Sequence, residues 1–198
     1  MKRIILASRS PRRREVLRTA GFAFEVIAGA GEEPYRQGEE PARYAERMAR
    51  RKAEAVATNL AARDDAVVLG ADTVVVLGGE VLGKPRSPED ACAMLERLAG
   101  RAHEVITGVA LVAPGSARAS VAHERTQVFF RVLTRTEIEA YVATGEPLDK
   151  AGAYAIQGLG ARLVSRIEGC YFNVMGLPVA LVDRLLRELA GGEPVPFS

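Results

Sequence analysis

Apolar and polar positions along the chain fall into segments that predict both strands and helices. Three apolar residues in a row, Ile4, Ile5 and Leu6, predict a short buried strand over residues 2–7. Pro11 suits the first position of a helix and Ser10 its N-cap, so a helix is predicted from there to Gly21. Between residues 40 and 60, apolar residues recur on one face and charged residues on the other, which predicts a long amphipathic helix.

The rest of the pattern predicts a mixed succession of elements. Further strands are predicted at residues 22–28, 66–69, 74–77, 81–82, 102–112, 119–133 and 163–167. Further helices are predicted at residues 87–98, 134–144 and 177–189, and glycine-rich loops at 29–38, 149–160 and 168–176. Because strands and helices are mixed rather than strictly alternating, we expect an α/β fold on a mixed sheet, not a doubly wound parallel one.

Composition narrows the possible classes of function. The 198 residues fit a single domain spanning the whole chain, and the net charge of +2 argues against a general nucleic-acid binder. Two cysteines and two histidines are too few for a disulfide scaffold or a zinc site, so any metal should be a hard cation on oxygen ligands. No apolar run approaches membrane-spanning length and no signal-peptide pattern is present, so we expect a cytoplasmic protein without a membrane partner.

The turn between the first predicted strand and helix concentrates hydroxyl and guanidinium groups. Ser8, Ser10, Arg12 and Arg13 all lie within it. A helix N-terminus already presents free N–H groups and a partial positive charge, which disfavours cations in the first turn. An anionic ligand such as a polyphosphate should therefore compensate these arginines. The alternative interpretation is a solvated basic patch on an ordinary helix.

Two further charged residues stand beside small residues near predicted strand ends. Asp72 follows a buried strand and the pair Gly70 and Ala71, so we expect it to project from the end of the sheet into a cleft. The small pair should leave space there for a metal and water. Lys84 lies between a glycine and a proline, across the predicted hairpin from Asp72. The alternatives are a turn-capping aspartate and an ordinary edge charge.

Weaker candidates lie in loops and on the long helix. Glu32 and Glu33 lie in the glycine-bounded loop at 29–38, where an exposed acidic loop is the ordinary explanation. Lys52 lies on the charged face of the long helix, where a solvated face is again the ordinary explanation. Gln157 lies in a loop of small residues, and its amide offers the donor and acceptor needed to read a base edge. The two histidines lie in predicted strands and are expected to be structural.

These features are more specific in combination than singly. Five motifs occur in order: Ser8-Arg9-Ser10-Pro11-Arg12-Arg13, Gly70-Ala71-Asp72-Thr73, Gly83-Lys84-Pro85, Asp149-Lys150-Ala151-Gly152-Ala153-Tyr154 and Asn173-Val174-Met175-Gly176-Leu177-Pro178. Together they resemble the Maf family of nucleoside triphosphate pyrophosphatases, from residue 4 to about residue 189. The continuation Ile156-Gln157-Gly158 resembles the branch that hydrolyses dTTP and UTP. The branch that hydrolyses 7-methyl-GTP carries a glutamate in place of the glutamine.

The resemblance implies a fold and an activity. The implied fold is that of the inosine triphosphate pyrophosphatases: an elongated mixed β-sheet with flanking helices and two lobes around a cleft. The implied reaction is cleavage between the α- and β-phosphates, giving a nucleoside monophosphate and pyrophosphate. It depends on a divalent cation, Mg²⁺ or Mn²⁺, and needs no covalent protein intermediate. Members of the family often form dimers, so the resemblance also implies a homodimer.

The resemblance further implies roles for individual residues. Asp72 matches the family's proton acceptor, and Asp72 and Glu33 match metal ligands, with Glu33 preferred to Glu32 on loop register. The residues that match substrate-binding positions are Ser8, Ser10, Arg12, Arg13, Lys52, Thr73, Lys84 and Gln157. Among them Arg12, Thr73 and Gln157 match positions tied to substrate choice. The approach Gly29-Ala30-Gly31 lacks an aspartate that many relatives carry there.

Two other functions remain open on the sequence. One is a pyrophosphatase of the same fold with another base preference, such as 7-methyl-GTP, against which Gln157 argues. The other is a non-catalytic, nucleotide-binding regulator of cell division, since Maf-like proteins are linked to septum formation. The presence of Asp72, Lys84 and Arg12 argues against a protein that binds without turnover.

Overall fold

Seven strands form one mixed sheet in the computed structural model, which describes residues 3–29, 33–36, 38–60, 65–115 and 119–193. The strands are β1 (Arg3–Leu6), β2 (Phe24–Val26), β3 (Ala66–Leu77), β4 (Glu80–Leu82), β5 (Ala102–Val112), β6 (Ala119–Phe130) and β7 (Val164–Glu168). The helices are α1 (Pro11–Thr19), α2 (Pro41–Ala57), α3 (Pro88–Leu98), α4 (Arg135–Ala143), α5 (Tyr171–Val174) and α6 (Val179–Leu189).

The sheet combines parallel and antiparallel pairs. Its strand order is β2-β1-β3-β5-β6-β7, and β4 also pairs with β3. β1 is parallel to both β2 and β3, whereas β4, β5, β6 and β7 join by antiparallel pairing. The expected mixed α/β sheet with flanking helices is confirmed.

Alternation along β3 separates the core into two layers. Its odd-numbered apolar residues, such as Leu69, join a large cluster with side chains from α1, α3, α4 and α6. Its even-numbered residues, such as Val68, face α2 and pack with Ala49 and Ala53 of that helix. Because successive side chains of a strand point to opposite faces, helices cover both sides of the sheet.

Several local predictions are confirmed. Ser10 is the N-cap of α1, and its side chain accepts a hydrogen bond from a backbone N–H of the first turn. Thr134 and Glu137 form a reciprocal capping box at the start of α4. Gly78 and Gly79 both have positive φ, as the tight turn between β3 and β4 requires. These elements are specified by residues close together in the chain.

One prediction about the central strand is wrong. The strand does not end at residue 69, because β3 runs without interruption through all twelve residues and Asp72 lies in its middle. Gly70 does not leave space for a metal or water either. A Cβ atom at that position would overlap the carbonyl oxygen of Ala49 and lie 2.9 Å from the backbone nitrogen of Ala53, so this glycine allows α2 to approach the sheet.

A gap beside β3 results from the unequal lengths of its neighbours. On one side, β5 pairs with residues 68–76 continuously. On the other side, β1 pairs with residues 66–69 and β4 with residues 75–77. Within the described ranges, no strand pairs with residues 70–74 on that second side, so the sheet is open there.

Two predicted loops contain short helices. The segment 168–176 includes the single-turn helix α5, where only a loop was predicted. Segment 149–160 is irregular as predicted, and short 3₁₀ turns occur at Glu146–Asp149, Ala151–Ala153 and Gly158–Leu163. Glu32 and Gly31 lie outside the described residues.

No helix among the described residues is long and apolar enough to cross a membrane.

We expect Gly70→Ala to destabilise the protein, because the added methyl group would push α2 away from β3. Overpacking of this kind costs about 1–3 kcal/mol. Urea denaturation followed by circular dichroism would measure the loss. Gly83→Ala is the matched control, since a Cβ atom there would meet nothing within 4 Å. Equal stability of the two variants would contradict the close approach of α2.

Candidate active site

A cleft of about 620 Å³ opens at the gap beside β3. Its wall includes the turn between β1 and α1, one residue of α2, the middle of β3 and the residue after Gly83. Segments 149–156 and 174–176 complete the wall from the other end of the chain. The strand pairing that leaves the gap therefore also brings together residues that are distant in sequence.

Asp72 is the buried carboxylate of the cleft. It is only 9% exposed, and its Oδ1 lies 2.5 Å from Nζ of Lys52. Lys52 reaches it from α2, which covers the face of β3 to which the Asp72 side chain belongs. Gly70, two residues earlier on that face, is what allows the helix to come so near. The ion pair thus depends on a glycine as well as on its two charged partners.

A chain of hydrogen bonds runs through the opposite face of β3. Arg13 donates from Nη2 to Oγ1 of Thr73 over 3.1 Å and from Nε to the carbonyl oxygen of Gly176 over 2.8 Å. Thr107 Oγ1 lies 3.0 Å from Thr73 Oγ1 and donates to the carbonyl oxygen of Asn173 over 3.0 Å. A carbonyl can only accept, so the Thr107 proton is used there and Thr73 must donate to Thr107.

The two predicted serines support the same arginine. Ser8 Oγ accepts from the backbone N–H of Ser10 at 3.1 Å and from Nη1 of Arg13 at 3.4 Å. Ser10 Oγ accepts from the backbone N–H of Arg13 at 3.5 Å. Arg13 is consequently held by contacts within the protein. Its neighbour Arg12 also lines the cleft.

Positive charge predominates around the cleft. In the part of the chain that the structure describes, its wall carries six cationic side chains: Arg9, Arg12, Arg13, Lys52, Lys84 and Lys150. Among the described lining residues, only two carboxylates, Asp72 and Asp149, accompany them. This excess of cations on opposing elements favours a ligand with several negative charges.

Asp149 and Lys150 are cleft residues to which the sequence assigned no role. Lys150 Nζ lies 2.5 Å from Oδ1 of Asp149 and donates to the carbonyl oxygen of Glu146 over 2.6 Å. The hydrogen bond from Lys150 is the main reason that the pKa of Asp149 lies below its usual value. The signal available in the sequence was the family motif at residues 149–154, which contains both residues.

Glu33 and Gln157 are not among the described residues that line the cleft. The Glu33 carboxylate lies among three arginines: Arg47 at 2.7 Å, Arg36 at 3.7 Å and Arg51. Gln157 is partly exposed and follows Ile156, which does line the cleft. The metal role of Glu33 and the base-reading role of Gln157 therefore stay predictions.

An aromatic group lies behind one wall of the cleft. Tyr154 lines the cleft, and its hydroxyl lies 2.7 Å from Nε2 of His103. The rings of His103, Tyr154 and Phe130 meet edge to face. His103 is 3% exposed, and burial lowers its pKa to about 4. Its Nδ1 has no hydrogen-bond partner among the described residues, so only one of the two ring nitrogens is hydrogen-bonded within them.

Comparison with known proteins gives a consistent family. The family model described as Maf-like protein matches residues 3–189. A dTTP/UTP pyrophosphatase of Moorella thermoacetica is 54% identical over 186 residues, covering 94% of each chain. Proteins of the same name from Pelotomaculum thermopropionicum and Vibrio cholerae are 50% and 48% identical, covering 95% of this chain in each case. They are covered over 97% and 98% of their own lengths.

Burial of neutral His103 should make stability depend on pH. Its pKa is about 4 in the folded protein and near 6.5 when unfolded, so the unfolded state binds the proton more tightly. The contribution of neutral His103 to the free energy of unfolding is therefore complete above pH 6.5 and is lost as the pH falls towards 4. Between pH 7 and 4.5 the loss should be about 2–3 kcal/mol.

Urea denaturation of the parent and of His103→Gln at both pH values would measure this contribution. We expect the stability difference between the two proteins to be smaller at pH 4.5 than at pH 7. His123→Gln is the matched control, because that side chain is 32% exposed whereas His103 is 3% exposed. It should retain the parent's decline between the two pH values. If the free energy of unfolding of His103→Gln fell as steeply between the two pH values as that of the parent, His103 would not be the source of the pH dependence.

Proposed function

The chain belongs to the Maf family, and from that membership we propose that it hydrolyses dTTP and UTP to the nucleoside monophosphate and pyrophosphate. The observation that carries this proposal is a buried carboxylate, Asp72, in a cleft lined by six cationic side chains. Relatives between 46% and 54% identical to this chain are named dTTP/UTP pyrophosphatases, which supports the same substrates here.

The cations of the cleft would bind the triphosphate. A triphosphate carries several negative charges near neutral pH, and guanidinium groups hold phosphate oxygens with two parallel hydrogen bonds. Arg12 is the arginine proposed to bind phosphate directly. Lys84 and Lys150 add compact charge from the opposite side of the gap. Arg13 would act by fixing the turn and Thr73, because its guanidinium bonds to groups within the protein.

Asp72 would accept the proton of the attacking water. In the proposed reaction, a water oxygen forms a bond to the α-phosphorus while the bond from that phosphorus to the bridging oxygen of the β-phosphate breaks. The water proton passes to the Asp72 carboxylate, and pyrophosphate leaves. Lys52 would orient the carboxylate through its 2.5 Å contact. The position of Asp72 in the middle of a paired strand supports this role, since a rigid element fixes a catalytic group more accurately than a loop does.

A divalent cation, Mg²⁺ or Mn²⁺, fits the donor set of the cleft. Proteins usually bind Mg²⁺ through one or two carboxylates together with substrate phosphates and water. Asp72 offers such a carboxylate, and the described residues contain no group of three or more acidic, histidine or cysteine ligands. When bound, the cation would neutralise phosphate charge and polarise the phosphorus. Glu33 is proposed as a second ligand, which requires its carboxylate to leave the surrounding arginines.

Substrate choice would depend on Arg12, Thr73 and Gln157, the positions that match the family's specificity residues. Gln157 is proposed to read the base, with its amide N–H donating to a carbonyl of uracil or thymine and its oxygen accepting from the ring N–H.

Membership of the Maf family also supports a cytoplasmic homodimer. Gel filtration with light scattering would test the oligomeric state.

The test of the proposed function is product analysis with UTP and Mg²⁺, comparing the parent with Asp72→Asn. We expect UMP and pyrophosphate from the parent. The asparagine keeps the shape but loses the charge and basicity, so kcat should fall by at least ~10²-fold while nucleotide binding persists. Asp183→Asn, which alters a carboxylate on α6 that pairs with Arg187, is the matched control. Release of UDP and orthophosphate would refute the choice of bond, and a near-parental rate of Asp72→Asn would place the base elsewhere.

Gln157→Glu should change the preference among bases. A carboxylate would repel the carbonyl that the amide N–H is proposed to contact, so kcat/KM for dTTP and UTP should fall more than kcat/KM for any purine nucleotide. Losing one such contact corresponds to about a tenfold change. Parallel kinetics with UTP, dTTP, GTP and ATP would measure it. An equal loss on all four substrates would mean that Gln157 has a structural role only.

A further inference from the structure

The carboxylate of Glu146 joins parts of the chain that flank the cleft. Its Oε1 accepts from the Tyr141 hydroxyl at 2.9 Å and from the backbone N–H of Gly160 at 3.0 Å. Its Oε2 accepts from the backbone N–H of Leu159 at 3.0 Å. Two of these donors are the free N–H groups at the start of the 3₁₀ turn that follows Gln157. The carboxylate therefore caps that turn from a distant position in the chain.

The other side of Gln157 is attached to the same carboxylate. The Tyr141 hydroxyl, which donates to Glu146, lies 3.4 Å from the backbone N–H of Ala155 and accepts from it. Residues 155 and 159 are thus both anchored, directly or through one hydroxyl, to a single side chain. Between them lie Ile156, which lines the cleft, and Gln157.

Two glycines allow the backbone to approach the Glu146 carboxylate and the Tyr141 hydroxyl closely. Gly158 has a φ of +66°, and a Cβ atom there would lie 2.6 Å from Oε2 of Glu146. A Cβ atom at Gly160 would lie 2.6 Å from the Tyr141 hydroxyl and would overlap the carbonyl oxygen of Ala155. Since both glycines are required by this close approach, the loop is shaped around the Glu146 carboxylate.

The charge state of Glu146 suits its contacts with these hydrogen-bond donors. Burial raises the pKa of its carboxyl, but the N–H groups of Gly160 and Leu159, the Tyr141 hydroxyl and the charge of Lys150 together lower it below its usual value. The ionised carboxylate has acceptors only, and all three of its hydrogen-bonding neighbours act as donors. A glutamine would instead present an amide N–H₂ group to at least one of these donors.

We propose that Glu146 is a positioning residue for substrate specificity: by holding the backbone on both sides of Gln157, it fixes the segment that meets the nucleobase. This inference rests on the proposed function, in which Gln157 reads the base. Glu146 is not among the described residues that line the cleft, so it acts through Gln157 and not by contact with the substrate.

The test separates base recognition from phosphate binding. Isothermal titration calorimetry would give Kd for the non-hydrolysable α,β-methylene analogue of UTP and for inorganic tripolyphosphate, which has no base. For Glu146→Gln we expect Kd of the UTP analogue to rise about tenfold, with Kd of tripolyphosphate unchanged. In kinetics, the KM for UTP should rise more than kcat falls. Glu139→Gln is the matched control, because Glu139 lies on α4 and pairs only with Arg135 at the surface in the described part of the chain.

Tyr141→Phe provides a second variant in case Glu146→Gln does not fold. It keeps the buried ring and removes only the hydroxyl between Glu146 and Ala155, so a smaller shift in the same direction is expected. Equal weakening of the UTP analogue and tripolyphosphate would show a merely structural role and overturn the inference. An unchanged Kd for the UTP analogue in both folded variants would also overturn it.

The proposed function and this inference can fail separately. A parent protein that binds the UTP analogue more tightly than tripolyphosphate but releases no UMP would refute the pyrophosphatase activity and leave the binding test of Glu146 intact. A parent that hydrolyses UTP, with a Glu146→Gln variant of unchanged selectivity, would refute the inference alone. A parent that binds the two ligands equally would exclude base recognition and overturn the inference.

Discussion

The cleft depends on the unequal lengths of three neighbouring strands. β3 has twelve residues, whereas β1 has four and β4 has three, and both short strands pair with the same side of β3. Among the described residues, no strand pairs with the uncovered stretch on this side, so its backbone groups are available to water or to a ligand. The other side of the same stretch is held by β5 throughout. The site is therefore open to a ligand on one side and rigid on the other.

Because of this geometry, residues from both faces of one strand line the same cleft. Asp72 and Thr73 are consecutive and belong to opposite faces, yet both line the cleft because it opens at the edge of the strand. On one face, α2 brings Lys52 to Asp72. On the other, Arg13 and Thr107 bond to Thr73. Two separately packed layers thus contribute to one site, and neither could be moved without disturbing the core behind it.

The sequence predicted features that are encoded locally and missed those that depend on packing. Ser10, the capping box at Thr134 and the glycine turn at 78–79 were correct because each requires only near neighbours. Asp72 was wrongly assigned to a strand end, since glycine and aspartate are unfavourable in strands. Gly70 is there because α2 approaches from a distant part of the chain, which no local pattern records.

The same limit applies to the site residues. Arg12, Asp72 and Lys84 come from three separate motifs and line one cleft, because such motifs carry information about tertiary proximity that spacing alone lacks. Lys52 lies in none of the five motifs, and α2 brings it to the same cleft. The part played by Glu146 was not anticipated, because its three donors come from residues before and after it whose approach depends on the folded loops.

The hydroxyl chain behind Thr73 gives the cleft a polarity. The Thr73 hydroxyl donates its single proton to Thr107, and one of its oxygen lone pairs accepts a hydrogen bond from Arg13. Thr73 can therefore offer a ligand only a hydrogen-bond acceptor. The six cationic side chains of the wall offer donors alone. A ligand group that meets Thr73 must therefore supply a hydrogen, whereas groups that meet the cations must accept one. Such an asymmetric wall can distinguish the two ends of a bound molecule before any bond is broken.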